Sequence, residues 1–224
     1  GVVSESLVQL LATEGINLPP AVVQRGIDSY VLHTDVGRVR IDTPLQEKRI
    51  AAVYRGNGPK QSEPLDIGSF DRYLLDLSAS KGAKVVRKLV TGFEWDEGRP
   101  QIRTADGDEV TYDLLAVAAG VNSHILEALN NPTLGYQSPG TLRAFICEFH
   151  LGQPTIKQCL GDAMHVFLLD LPRLEFAALI PKGDFATLCL LGKDVDEPLI
   201  ESFLATDEVK RCFPDAVVPA PACQ

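Results

Sequence analysis

Apolar and polar positions alternate along this chain in two rhythms, one helical and one strand-like. Leu7, Val8, Leu10 and Leu11 follow Ser4 at helical spacing and stop before Gly15, which predicts a short amphipathic helix over Ser4–Glu14 with Ser4 as its cap. Pro19-Pro20 breaks that pattern. Ser29–Thr34, Arg38–Asp42 and Ile50–Tyr54 then read as strands, the first two joined through Asp35 and Gly37 as a hairpin. Ser69–Lys81 is the clearest helix: Phe70, Leu74, Leu77 and Lys81 share a face beside Tyr73, Ser69 caps it, Asp71 suits its dipole and Gly82 ends it. Ala83–Leu89 reads as a strand. Thr91–Asp96, Gln101–Ala105 and Glu109–Tyr112, separated by Glu97-Gly98 and Asp106-Gly107, form a meander. It leads into Leu114–Ala118, an unbroken apolar run whose lack of alternation predicts a strand buried on both faces.

The second half is mostly strand-like. Leu142–Phe149, Thr155–Leu160, His165–Asp170, Glu175–Ile180 and Phe185–Leu191 are five closely spaced runs, which predict a large antiparallel sheet. Asp196–Ala205 and Glu208–Cys212 read as helices. A soft boundary falls in the Asn-, Pro- and Gly-bearing stretch Asn130–Gly140.

Composition narrows the function. A net charge of −9 with no dense Lys/Arg stripe argues against a nucleic-acid partner. No apolar stretch approaches the ~18 residues of a membrane span, and residues 1–11 lack the basic head of a signal peptide, so a cytoplasmic location is expected. Five cysteines (Cys147, Cys159, Cys189, Cys212, Cys223) without CxxC spacing suit neither a zinc knuckle nor a disulfide framework. His33, His124, His150 and His165 are read as isolated, so no metal site is expected. The opening Gly1-Val2-Val3-Ser4 and the Pro/Ala-rich end read as those of an internal piece of a longer polypeptide.

Three motifs add a resemblance. Ser69-Phe70-Asp71-Arg72-Tyr73-Leu74-Leu75, followed by Ser78-Ala79 and Gly82-Ala83-Lys84-Val85, resembles the FDxxL…A…GAxV helix–strand unit of FAD-dependent oxidoreductases. Thr111–Gly120 looks like the YDLLxxAxG strand that leaves the meander in that group, and Glu175–Gly183 is similar to its substrate-domain strand ending in Pro-Lys-Gly. The group is the geranylgeranyl reductase-like branch of the para-hydroxybenzoate hydroxylase-type fold. The resemblance implies a mixed α/β (α+β) fold with an incomplete FAD/NAD(P)-binding domain over 1–28 and 66–130. An antiparallel-sheet substrate domain would cover 29–65 and 131–224.

It also implies cofactor contacts at Arg72, Val90, Ala118, Ala119 and Gly120, Val90 holding the position that faces the adenine ring. Ala118–Gly120 would let backbone approach a cofactor, or simply turn a tight corner. Arg72 and Arg55 would meet a phosphate or form ordinary salt bridges. Phe167, Phe176, Ile180 and Pro181 would line a pocket for a small apolar substrate, although aromatics in a sheet also serve as plain core. The family's GxGxxG fingerprint is absent, and Gly161-Asp162 and Gly183-Asp184 read as turns rather than as its later Gly-Asp pair. FAD is therefore expected in an intact parent and not to be held stably by this chain alone. The parent would be a flavin-dependent reductase of apolar or isoprenoid substrates. The alternatives are an FAD-dependent aromatic monooxygenase and a non-catalytic binding or assembly module.

Overall fold

The computed structural model describes residues 1–56, 68–129, 135–213 and 222–223. The chain forms, in order, β1 (Val2–Val3), α1 (Glu5–Thr13), β2 (Val23–Ile27), β3 (Ser29–Thr34), β4 (Gly37–Asp42), β5 (Ile50–Val53) and α2 (Phe70–Ser80). There follow β6 (Val90–Asp96), β7 (Arg99–Thr104), β8 (Glu109–Thr111), β9 (Arg143–His150), α3 (Gln153–Cys159), β10 (Ala163–Leu168), β11 (Leu174–Lys182) and β12 (Phe185–Gly192). The last elements are α4 (Glu197–Leu204), α5 (Asp207–Lys210) and β13 (Ala222–Cys223). The fold is mixed α/β with several sheets, as the sequence predicts. Two compact units arise: Gly1–Lys81 with Leu142–Gln224, and Gly82–Thr141.

The larger unit is built on a seven-stranded sheet in the order β13-β9-β12-β11-β10-β3-β4. All its pairings are antiparallel except that of β10 with β3, which is parallel. The predicted large antiparallel sheet is thus present, and the hairpin near the start of the chain extends it. One face carries the main core, where Phe149, Phe167, Leu179 and Leu188 meet Ile156 of α3, Phe203 of α4 and Val209 of α5. On the other face a three-stranded sheet, β1-β5-β2, packs Ile27, Ile50 and Ala52 against Ala178 and Ile180 of β11. Phe70 of α2 joins Val3, Val22 and Val53 in a third cluster. Gly192 closes the β11–β12 pair where only hydrogen fits: a Cβ there would meet the Arg173 carbonyl oxygen at 2.2 Å.

Both predicted caps form. Ser4 Oγ accepts the Leu7 amide at 3.3 Å and Ser69 Oγ the Arg72 amide at 3.2 Å, while Gly15 and Gly82 follow the helix ends with φ of 73° and 100°.

The smaller unit is the predicted meander, β6-β7-β8. Three expectations fail. Residues 83–89 form no strand, and neither do residues 114–118, which lie partly exposed, with Leu114 at 84%. A strand exists only against a hydrogen-bonding neighbour, and among the described residues the two runs have only the Leu89 carbonyl, which accepts the Ala105 amide at 2.9 Å. The third is Thr155–Leu160, read as a strand but folded into α3. Gly152 at φ 77° and Pro154 in the first turn start a helix there, and Ile156 anchors it in the core. The strand β2 is a further element that periodicity did not suggest. Its sequence, Val-Gln-Arg-Gly-Ile, alternates too weakly to stand out.

Candidate functional site

The cofactor residues implied by the resemblance fall in both units. Arg72 lies on α2, exposed, with its guanidinium on Asp76 at 2.7 Å one helical turn away. Arg55 likewise pairs with Asp71 at 3.1 Å. In the meander unit, Val90, Phe93 and Ile102 line an apolar cavity of about 190 Å³ together with Val117, Ala118 and Ala119. Val90 is thereby brought beside the two alanines. Gly120 adopts φ 80° and nothing lies within 4 Å of where its Cβ would stand, so its freedom serves the corner rather than a close approach. Its carbonyl accepts the Ser123 amide at 3.1 Å. A cavity of this size is smaller than the ~300–1,000 Å³ of ordinary cofactor pockets. These residues form a small apolar recess and do not by themselves enclose a ligand of nucleotide size.

The implied substrate residues divide between the two faces of the large sheet. Phe167 belongs to the helix-covered core, stacked on the His33 ring at 4.5 Å and edge-on to Phe203. Phe176 and Ile180 sit on the opposite face with Ala178, packed with Ile27, Ile50 and Ala52. Pro181 is buried one position further along β11, on the side of Leu179. Phe167 is therefore not brought together with Phe176 and Ile180.

On that second face, register aligns Val39, Leu32, Val166, Ala178, Cys189 and Ile146 into one apolar row across six strands. Its centre is covered by the three-stranded sheet. Its flanks are open, with Val39 at 53% and Ile146 at 41% exposure, and Leu168 lies on the same face at 48%. Beside Ile180 the row meets a buried polar group. Lys182 Nζ lies 2.9 Å from Glu148 Oε1, and Thr187 Oγ1 donates to Glu148 Oε2 at 2.8 Å. The ammonium also stands 4.4 Å from the centroid of the Tyr54 ring. Burial, reinforced by the Glu148 charge, raises the Tyr54 phenol above its usual range, and its hydroxyl has no hydrogen-bond partner among the described residues. The Pro-Lys-Gly motif pointed to Lys182. Nothing in the spacing pointed to Glu148 or Tyr54, which reach it from β9 and from just past β5.

A second buried cluster lies under the helix-covered face. His33 of β3, His165 of β10 and Cys212, just after α5, are all buried. His33 Nε2 lies 2.9 Å from His165 Nδ1, and Cys212 Sγ stands 3.5 Å from that same nitrogen and 4.0 Å from His33 Nε2. His165 Nε2 lies 3.2 Å from the Leu160 carbonyl, which can only accept, so Nε2 carries the proton and Nδ1 of the neutral ring presents its lone pair. Burial, with help from His165, holds the His33 imidazole down to about 4, and burial lowers His165 as well. Burial also pushes the Cys212 thiol up to about 12. Two of the histidines are thus isolated along the chain and not in space. His124 is also less isolated than read, since Glu127, three residues on, lies 3.6 Å away on the surface.

No family model matches the sequence, and no curated protein matches it. Solved structures do share its fold. A geranylgeranyl bacteriochlorophyll reductase-like protein from Thermoplasma acidophilum superposes with a TM-score of 0.64 at 13% identity, over 93% of this chain and 52% of that one. FqzB gives 0.61 at 15% identity, over 98% and 52%. Klebsiella pneumoniae HpxO, complexed with FAD and uric acid, gives 0.57 at 16% identity, over 94% and 54%. The fold is therefore one found among FAD-binding proteins, and this chain spans about half the length of the solved structures it matches. Among the described residues no helix is long and apolar enough to cross a membrane.

Proposed function

We propose that this chain is the substrate-facing part of a flavin-dependent oxidoreductase, one that reduces an apolar substrate of isoprenoid type. The observation that carries the reading is the seven-stranded sheet with its apolar row, in a fold shared with an FAD-complexed protein. Open flanks at Val39, Ile146 and Leu168 suit a ligand without charge, since a charged one would lose hydration there uncompensated. Phe176, Ile180 and Pro181 would shape the substrate side, with Phe167 supporting it from the core.

Val90, Ala118, Ala119 and Gly120 would supply the adenine-side edge of FAD, and Arg72, once released from Asp76, a phosphate contact. In such enzymes the flavin supplies the hydride chemistry, and the protein binds, orients and excludes water. On this reading the domains divide as the resemblance implies, into 1–28 with 66–130 and 29–65 with 131–224.

The test is flavin retention by the polypeptide that the natural reading frame around this chain encodes. Absorbance near ~450 nm that survives desalting, and that bleaches with a reduced nicotinamide, is the expected result. A protein that stays colourless with added FAD would overturn the reading in favour of a binding or assembly module. Hydroxylated rather than reduced product would identify a monooxygenase instead.

A further inference from the structure

We propose that His33, His165 and Cys212 form a transition-metal site on the helix-covered side of the large sheet, with zinc as the ion its donors suit. Two imidazole nitrogens and one sulphur are the donor types that zinc takes. Their separations of 2.9, 3.5 and 4.0 Å define a triangle. The point equidistant from its corners lies about 2.05 Å from each, against ~2.0–2.1 Å for zinc–nitrogen and ~2.3 Å for zinc–sulphur bonds. An ion displaced slightly from the plane toward a fourth ligand lengthens all three distances together. No rearrangement of the strands is needed.

The surroundings suit the same use. His165 presents its Nδ1 lone pair, and His33, which donates Nε2–H to it without an ion, would offer Nε2 to a metal once that proton moves to its Nδ1. The Leu160 carbonyl fixes the tautomer of His165 from behind, the usual arrangement behind a metal-bound histidine. On one side His165 lines a cavity of about 470 Å³ together with Arg38, Arg40 and Lys157. Binding replaces the Cys212 S–H proton by the ion and releases that proton, so uptake strengthens as pH rises. Without an ion the donors stay converged through the hydrogen bond between the rings.

Metal analysis of protein expressed with added zinc, then dialysed against metal-free buffer, is expected to give close to one equivalent per chain. Cobalt, introduced during refolding, should produce a near-ultraviolet thiolate charge-transfer band and the intense visible bands of four-coordination. Cys212→Ser should abolish the charge-transfer band, and His165→Asn or His33→Asn should lower metal affinity at least ~10-fold. The wild-type cobalt spectrum requires no variant, so misfolding of a substituted chain cannot hide the answer. Wild-type protein that takes up neither metal would overturn the proposal. So would a charge-transfer band that survives in folded Cys212→Ser, which would trace the sulphur to another cysteine.

Discussion

The larger unit buries Phe149, Phe167, Phe203 and Leu179 completely, whereas the meander unit leaves Leu89 at 71% and Leu114 at 84% exposure. The sequences of the two regions do not differ in apolar content enough to explain this. Leu114-Leu115-Ala116-Val117-Ala118 is as apolar as Ala177-Ala178-Leu179-Ile180. The second stretch lies between β10 and β12, and its backbone is paired on both sides. The first has no paired neighbour among the described residues. Burial in a sheet follows from hydrogen-bonded company, and side-chain character alone does not deliver it.

Hydrogen exchange should show the contrast most strongly. Among the described residues none of the amides from 83 to 89 donates a hydrogen bond to the backbone, so they should exchange close to the intrinsic rate. Amides in the β11–β12 pair should be slower by about 10³-fold or more, because opening them requires most of the global unfolding energy. Equal protection in both places would remove the distinction.

Lys182→Met comes next. It strands the Glu148 carboxylate in the larger unit and should cost about 3–5 kcal/mol in urea unfolding, while the double variant with Glu148→Leu recovers most of the loss. The meander's exchange pattern should not move with either.

A smaller effect is expected with pH. The folded His33 value of about 4 lies below the ordinary 6.5, so the folded state resists protonation. Stability should be complete above 6.5, fall as the pH drops toward 4, and level off below that. His33→Gln should flatten this slope, as read by the urea midpoint of the larger unit. Last, Ser69→Ala removes the acceptor of the Arg72 amide and should cost about 1 kcal/mol.

Legibility followed the same division. Helices whose signals are local, such as α1 and α2 with their serine caps, could be read directly, and so could the hairpins β3–β4 and β6–β7 with their turn residues. Thr155–Leu160 is misread as a strand although Ile156, Cys159 and Leu160 stand at i, i+3 and i+4, because six residues are too few for that helical period to stand out. The runs at 83–89 and 114–118 carry strand character without the partner that would realise it, and a partner is not a property of the run. The candidate sites were partly legible. Lys182 lies in a motif, but Glu148 joins it only because β9 pairs with β12 and places it across from Thr187. His33, His165 and Cys212 meet only in three dimensions, at separations no spacing rule covers.

The parallel pairing of β3 with β10 ties together residues 134 positions apart, and the meander unit lies between them in the sequence. Closing so long a loop is entropically costly once, yet doubling its length would add only about 0.6 kcal/mol. The stretch from 82 to 141 is therefore a cassette in the evolutionary sense, free to lengthen, shrink or be exchanged with little penalty to the sheet around it. The cost falls on time instead of stability. A nascent chain holds the β3–β4 hairpin without its neighbour until β10 emerges, so late synthesis is when this protein is most exposed to mispairing.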